Sequence, residues 1–191
     1  MDRRLAVAAL MIFTVFLGFG IIIPVLPMMV ADIDRTTAEW HTGLLLSLYS
    51  LMSFLFSPFW GSRSERVGRR PVILTGVLGF CVSFVLFGLA EDRLWLMYAS
   101  RLLGGFFSGA VTASIVAYVA DITGERERTR GMAAIGMSIG LGFTFGPFVG
   151  GLLSKVSLGT PFFAAAGLSL LTFVLGWMQL KESLPAEQRA L

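Results

Sequence analysis

Six long stretches of the sequence contain no charged side chain, and they constrain the fold more than any other feature. They are residues 5–31, 42–61, 71–90, 102–120, 131–154 and 156–180. Each approaches or exceeds the length of about 20 apolar residues that a helix needs to cross a bilayer. Only 14% of the residues are charged, against about 25% in an ordinary soluble domain. The sequence therefore predicts an all-α, polytopic membrane protein with six transmembrane helices, located in the cell membrane.

Residues 94–100 extend the fourth stretch backwards across a single charge, Arg101. The predicted helices cover about residues 5–31, 41–61, 71–90, 93–120, 131–154 and 160–180. Residues 181–191 are polar and are predicted to begin a cytoplasmic linker or tail. The first stretch is too long for a cleaved signal peptide, so it counts as a helix.

Basic residues are distributed unevenly between the two sides of such a bundle. Eleven lie on the side of the chain ends and the 61–71 turn, and three lie on the other, namely Arg35, Arg93 and Lys155. Basic loops stay in the cytoplasm, so both termini are predicted to be cytoplasmic. This asymmetry accounts for the pI of about 9.5, which therefore gives no reason to expect nucleic-acid binding.

Chemically reactive residues are sparse. Cys81 and His41 are each the only residue of their type, and no His, Cys and acidic residues stand at metal-ligand spacing. The spanning stretches hold no nucleophile–base pair. We therefore expect no metal, no cofactor and no enzymatic activity.

The two halves of the chain resemble each other after a shift of 89 residues. The shift aligns residues 30–33 with 119–122, residues 58–61 with 147–150, and Gly20 with Gly109. Because three helices are an odd number, the second copy must run upside down relative to the first. Inverted three-helix repeats are typical of secondary transporters. The pattern predicts a 3+3 inverted repeat.

The turn between the second and third helices carries a charged motif. We predict that Gly61 ends helix 2, that Pro71 opens helix 3, and that the residues between them reverse the chain, with Gly68 supplying backbone freedom. A plain positive-inside anchor needs the arginines but has no use for Glu65 or for fixed glycine spacing. The motif comprises Gly61, Ser64, Glu65, Arg66, Gly68, Arg69 and Arg70.

This motif resembles the signature between helices 2 and 3 of the major facilitator superfamily, in which aspartate usually stands where this chain has Glu65. The resemblance implies a cytoplasmic latch in which the acid reaches toward the start of a helix in the other half of the transporter. By position, it also implies that Arg69 pairs with Asp121 at the end of helix 4.

Two further motifs resemble those of drug:proton antiporters in the same superfamily. Helix 5 places small residues four apart, which allows close helix packing in lipid. We expect its glycines to form the interface that rocks against the other half. The helix 5 motif is Gly142, Gly146, Pro147, Gly150 and Gly151, and the helix 1 motif is Gly20, Pro24 and Pro27.

Arg101 is the only charge deep in a spanning stretch. An arginine near the bilayer centre costs about 2.5–3.5 kcal/mol, so it usually faces the bundle interior and marks a pathway. The alternative is snorkelling to the outer interface. Arg101 followed by Gly104 and Gly105 resembles the exporters' helix 4 motif, which implies a role in proton coupling. Its neighbours at helical spacing are predicted to line the cavity, and they are Tyr98, Gly105, Ser108 and Thr112.

Together these features predict the N-terminal half of a secondary transporter that exports small hydrophobic compounds in exchange for protons. The alternatives are a major facilitator importer or uniporter of a small metabolite and a non-transporting membrane subunit. No spanning stretch contains Asp or Glu, so the proton-carrying acid lies in a second half, coupling differs, or this half only binds and gates. The second half is expected in the same protein or in a second copy forming a homodimer.

Overall fold

A computed structural model of the protein describes residues 3–185, 187 and 189. Within that part there are six helices and no β-strand, and each helix is long and apolar enough to cross a membrane. The helices are α1 (Arg3–Ile33), α2 (Ala38–Val67), α3 (Arg69–Gly88), α4 (Leu94–Ile122), α5 (Arg128–Leu153) and α6 (Thr160–Gln179). The predicted all-α fold with six spans is confirmed. Of the predicted tail, residues Ala186, Gln188, Ala190 and Leu191 lie outside the described part.

The turn between α2 and α3 is tighter than predicted. The expectation that Gly61 ends the second helix is wrong, because α2 continues to Val67 and only Gly68 separates it from α3. The arginine and glutamate side chains of this segment are good helix formers, and a single glycine costs a helix only about 1 kcal/mol. Gly68 has φ 114°, a conformation that glycine adopts without steric cost. Pro71 lies in the first turn of α3, where its missing N–H is tolerated.

The packing of the helices follows the predicted repeat. The long contact of α1 along α5 has its counterpart in the contact of α4 along α2, while α3 packs against both α4 and α6. Most side chains in the apolar parts of α1, α3 and α4 are buried, fewer are buried in α6, and only a small share is buried in α2 and α5. Exchanging the first three helices with the last three leaves the set of contacting helix pairs unchanged, as an inverted repeat requires.

Equivalent residues make equivalent contacts in the two repeats. A Cβ on Gly20 of α1 would lie 3.0 Å from Gly146 Cα and 3.2 Å from the Gly142 carbonyl oxygen. A Cβ on Gly109 of α4 would lie 3.2 Å from the backbone nitrogen of Ser57 and 3.1 Å from the Ser53 carbonyl oxygen. These are the positions that the 89-residue shift exchanges, so each repeat uses one glycine for the same close approach.

Two glutamates connect the repeats at opposite ends of the bundle. Glu91, three residues after α3, accepts a 2.6 Å hydrogen bond from the Gly159 N–H at the start of α6. Glu182, three residues after α6, accepts a 2.8 Å hydrogen bond from the Arg69 N–H at the start of α3. The first N–H groups of a helix lack partners within the helix. Each repeat therefore caps the third helix of the other.

Candidate transport cavity and charge cluster

An open cavity of about 410 Å³ lies among α1, α2, α4 and α5. Aromatic side chains form much of its wall and contact one another at 5.2–5.6 Å between ring centroids. The aromatic lining residues are Phe16, Phe19, Tyr49, Phe54 and Phe143, and Val15 adds one aliphatic side chain. The hydroxyl lining residues are Ser50, Ser53, Ser57, Ser108 and Thr112.

The hydroxyl groups of this cavity are mainly acceptors. Ser50, Ser57 and Thr112 each donate their proton to the backbone carbonyl four residues earlier, at 3.1, 2.6 and 2.9 Å. A hydroxyl that has donated its proton keeps its lone pairs. The cavity therefore combines aromatic faces with hydrogen-bond acceptors, and none of its lining side chains is charged.

The predicted neighbours of Arg101 divide into two groups. Ser108 and Thr112 line the cavity, as expected from their spacing. Gly105 does not, because it packs directly on the backbone carbonyl of Tyr49. Tyr98 also lies outside the lining, and its hydroxyl is 2.8 Å from His41 Nδ1 near the start of α2. Of the four residues that helical spacing predicts to line the cavity with Arg101, two do so.

Arg101 is buried inside the bundle, with 1% of its surface exposed. Its guanidinium carbon lies 4.3 Å from the ring centroid of Phe87 and 5.6 Å from that of Tyr49. Its Nε is buried without a hydrogen-bond partner among the described residues. The snorkelling alternative is therefore wrong. Because Tyr49 both lines the cavity and packs on Arg101, it connects the charge to the cavity wall.

A charge cluster is centred on Arg69 at the turn between α2 and α3. Arg69 Nε lies 3.3 Å from Asp121 Oδ2 at the end of α4, and Arg69 Nη2 lies 3.7 Å from Glu65 Oε1. Arg69 Nη1 also donates a 2.6 Å hydrogen bond to Ser64 Oγ. Ser183 Oγ donates to the same Asp121 oxygen at 2.9 Å. The cluster thus joins α2, α3, α4 and the segment after α6.

The other residues of the 61–70 motif lie outside this cluster. Arg66 is exposed, and a Cβ on Gly61 would have no neighbour within 4 Å. Arg70 turns toward α6, where it donates a 2.8 Å hydrogen bond to the Trp177 carbonyl. Gly68 forms the turn itself and packs against Glu182.

The glycine stripe of α5 faces α1 and not the outside of the unit, contrary to the prediction from the sequence. Gly142, Gly146 and Gly150 pack on α1, where a Cβ would lie 2.6–2.9 Å from its nearest atom. The stripe is therefore an interface inside this six-helix unit, and its assignment as the surface that rocks against another half is wrong. Of the predicted motif, Gly151 alone has open space around its Cβ position. Small residues allow close approach, but their spacing does not say which helix approaches.

Of the helix 1 motif, Gly20 belongs to the same interface. Gly20 packs on Gly146, and Pro147 of the α5 motif lies 3.2 Å from the Gly20 Cβ position. Pro24 and Pro27 lie within α1, which continues to Ile33. Neither proline lines the cavity.

Sequence reasoning missed the serines of α2 and the capping role of Glu182. Ser50, Ser53 and Ser57 stand at spacings of three and four, which places them on one helix face. That spacing was a usable signal. Glu182 carried a weaker one, since only its place three residues after α6, like that of Glu91 after α3, distinguishes it from an ordinary tail residue.

Comparisons with known proteins agree with this architecture. Residues 8–191 match the family model for the Major Facilitator Superfamily. The chain is 40% identical over 173 residues to the class C tetracycline resistance protein of Escherichia coli, covering 90% of this chain and 43% of that protein. It is 37% identical over 180 residues to multidrug resistance protein 2 of Bacillus subtilis (strain 168), covering 93% and 44%.

A solved transporter structure has a similar fold. The crystal structure of the human organic anion transporter MFSD10 (TETRAN) matches with a TM-score of 0.86 at 29% identity, covering 98% of this chain and 49% of that one. The chain spans less than half the length of these relatives. The prediction of a multi-pass membrane protein is confirmed, and with the family match the chain belongs to the major facilitator superfamily.

Proposed function

We propose that this chain forms one six-helix half of a secondary transporter that exports small hydrophobic, drug-like compounds in exchange for protons by alternating access. The central cavity carries this proposal. Its aromatic walls and hydroxyl acceptors suit an apolar, planar or polycyclic compound that bears a few hydrogen-bond donors. Relatives named for tetracycline and multidrug resistance support the same substrate class.

Arg101 is proposed to couple the cavity to proton movement. It carries a charge beside the cavity wall, and its Nε lacks an acceptor among the described residues. No acidic residue of this chain lies within its spanning stretches. The titrating carboxylate is therefore assigned to the second half, whose approach would give Arg101 an anionic partner in one state of the cycle.

The turn between α2 and α3 is proposed to act as a latch on the cytoplasmic side. Arg69 holds Glu65 and Asp121 together at 3.7 and 3.3 Å. The Glu65 side chain is 55% exposed, so it remains available to the positive N-terminal end of a helix in the other half. The latch residues are Gly61, Glu65, Arg66, Gly68, Arg69, Arg70 and Asp121.

The exposed apolar faces of α2 and α5 support pairing with a second six-helix half. Phe54 and Phe59 of α2 and Phe148 of α5 are among their exposed large side chains. The two halves of this superfamily are parallel repeats about an axis along the membrane normal. The partner is the remainder of a longer protein or a second copy of this chain.

Transport is best tested in inside-out vesicles that contain the protein with both halves present. With an acidic lumen, tetracycline should accumulate in the vesicles, and adding it should release protons from them. Arg101→Gln should abolish the proton release, whereas Arg93→Gln, outside the spanning stretches, should leave it intact. Tetracycline movement without protons would favour an importer or uniporter, and no substrate-dependent flux would favour a non-transporting subunit.

A further inference from the structure

A second groove of about 520 Å³ lies between α3 and α6 and shares no lining residue with the central cavity. Its mainly apolar part consists of Val67 at the end of α2, of α3 and α6 side chains, and of one hydroxyl residue, Thr75; the α3 and α6 residues are Pro71, Leu74, Leu78, Phe173 and Trp177. Its polar end, beside the Gly68 turn, holds Arg70, Glu182 and Arg189. The groove is thus apolar along its length and basic at one end.

The groove opens onto the lipid-facing surface of the bundle. Leu78 is 42% exposed and Trp177 is 61% exposed. Both lie on helices that are long and apolar enough to cross a membrane, and the α6 surface beside them exposes Val174 and Met178. Exposed apolar side chains at this depth face acyl chains, and tryptophan is enriched where hydrocarbon meets the head groups. The basic end therefore lies at head-group level.

Arg70 is positioned to bind an anion at that level. Its guanidinium carbon lies 5.4 Å from the Trp177 ring centroid, and its Nη2 donates to the Trp177 carbonyl at 2.8 Å. Its Nε is buried with no acceptor in the part of the chain that the structure describes. A guanidinium has five N–H donors, so a small rotation toward an acceptor in the groove would gain hydrogen bonds and keep the contact with tryptophan.

The acidic residue of the groove does not neutralise both arginines. The Glu182 carboxylate accepts hydrogen bonds from four backbone N–H groups, those of Arg69, Arg70, Ser183 and Leu184, at 2.8, 3.3, 3.1 and 3.2 Å. It is therefore directed at the start of α3. Arg189 Nε donates to the Leu184 carbonyl at 3.4 Å, which holds its guanidinium near the turn. One unit of positive charge remains at this end.

We propose that the groove binds an anionic phospholipid, with the phosphate at Arg70 and Arg189 and an acyl chain along Leu74, Leu78 and Phe173. Basic pockets between transmembrane helices bind anionic head groups, and each arginine near the surface contributes about fivefold in affinity. Arginine also forms bidentate bonds to phosphate. This site is separate from the transport cavity and does not depend on the proposed transport activity.

Fluorescence quenching by brominated lipids tests this site, because Trp177 lines it. The other three tryptophans are changed to phenylalanine (Trp40→Phe, Trp60→Phe and Trp95→Phe), and the protein is placed in phosphatidylcholine vesicles with increasing phosphatidylglycerol. Brominated phosphatidylglycerol should quench Trp177 with an apparent affinity about fivefold above that of brominated phosphatidylcholine. Arg189→Gln should reduce this preference to about twofold or less, and Arg93→Gln should leave it unchanged.

Native mass spectrometry of the protein with all its tryptophans gives an independent readout. Phosphatidylglycerol should remain bound to the unsubstituted protein and be lost from the Arg70→Gln, Arg189→Gln double variant. Equal quenching by the two brominated lipids, or a preference that survives in the double variant, would overturn the proposal. So would loss of the preference on adding millimolar inorganic phosphate, because that outcome would assign the site to free phosphate.

Discussion

At the scale of single residues, Arg101 shows how the fold accommodates a charge in a membrane. Placing arginine in mid-bilayer costs about 2.5–3.5 kcal/mol. Two aromatic faces, Phe87 at 4.3 Å and Tyr49 at 5.6 Å, each offset about 0.5–2 kcal/mol through cation–π attraction. Much of the cost is thus offset without an acidic partner. The guanidinium is therefore tolerated inside the fold, and its Nε has no acceptor among the described residues, as the proposed coupling to an anion of the second half requires.

Asp34 provides a prediction about pH at the loop between α1 and α2. Hydrogen bonds from the Thr36 and Thr37 hydroxyls and from the Thr36 N–H, at 2.6–2.9 Å, lower the pKa of the Asp34 carboxyl from 3.8 to about 2. Because the pKa is depressed in the folded protein, the stabilisation is present above pH 3.8 and is lost as the pH falls through about 2. A carboxyl NMR titration should give a midpoint near 2.

Removing the two hydroxyls provides the control for this titration. In the Thr36→Val, Thr37→Val double variant, the Asp34 midpoint should move back toward 3.8. A midpoint near 3.8 in the unsubstituted protein would mean that these hydrogen bonds do not persist in the loop.

At the scale of helices, the reciprocal caps should stabilise both repeats. Glu182→Ala leaves the first N–H groups of α3 without their acceptor, and Glu91→Ala does the same for α6. Loss of a cap of this kind costs about 0.5–2 kcal/mol. We expect each variant to lower the midpoint of unfolding in a detergent-based thermal melt, with a larger effect when both are combined.

Glu125→Ala is the matched control, because Glu125 is exposed in the turn between α4 and α5. It should melt like the unsubstituted protein. If Glu182→Ala and Glu125→Ala melt at the same temperature, Glu182 does not cap α3 in the membrane protein.

The interface between α1 and α5 gives a second prediction at this scale. A methyl group on Gly146 would lie 2.6 Å from Gly20 Cα, so Gly146→Ala must push two backbones apart. Overpacking of this kind costs about 1–3 kcal/mol. Gly151→Ala meets open space and should gain up to about 1 kcal/mol from helix propensity. Denaturant unfolding should therefore shift in opposite directions for the two variants.

A transport assay tests whether Gly151, which lies beside the stripe, contacts the second half. Loss of transport in Gly151→Ala without loss of stability would identify Gly151 as a contact with the second half. Equal destabilisation by the two substitutions would contradict the packing of the stripe on α1.

The sequence predicts the helices better than their ends and their partners. Length and the absence of charge suffice for six spans, because a bilayer demands both. The sequence misplaces the end of α2 because residues 61–67 include three charged side chains yet form a helix. Charge excludes a segment from lipid and not from helical structure. Which helix packs on the α5 stripe could not be predicted, because glycine spacing indicates close packing but does not identify the neighbouring helix. Cavity residues such as Ser108 followed from helical spacing, whereas Gly105 shares their face but packs on α2.

At the scale of the whole molecule, the two triplets of helices form one body, and the ion pairs of Arg69 lie at one end of it. Arg69, Asp121 and Ser183 tie α3, α4 and the segment after α6 together there. Interior contacts between the repeats are close, as at Gly20 and Gly109. Such a body moves more readily as a unit than by internal rearrangement, because packed cores deform little. A breakable contact at its edge is therefore a suitable place to control its motion.

Glu65 is the residue of that edge whose loss should affect motion and leave the fold intact. Its carboxylate is more than half exposed and only 3.7 Å from Arg69, and exposed ion pairs contribute little to stability. Its proposed contact with a helix N-terminus in the other half is worth about 0.3–1 kcal/mol. Glu65→Ala should therefore lower the rate of tetracycline efflux from vesicles about two- to fivefold, with an unchanged thermal melt.

Glu39→Ala, at the opposite end of the same helix, is the control and should transport normally. Arg69→Ala should have a larger effect on both transport and melting, because Arg69 is buried and holds Asp121 as well. Normal efflux by Glu65→Ala would contradict the latch and would leave the turn with only the role of a basic anchor that fixes the orientation of the protein in the membrane. A melt lowered as far as that of Arg69→Ala would instead make Glu65 a structural partner of Arg69. Only a slower cycle on an intact fold corresponds to a contact that breaks and re-forms between two halves.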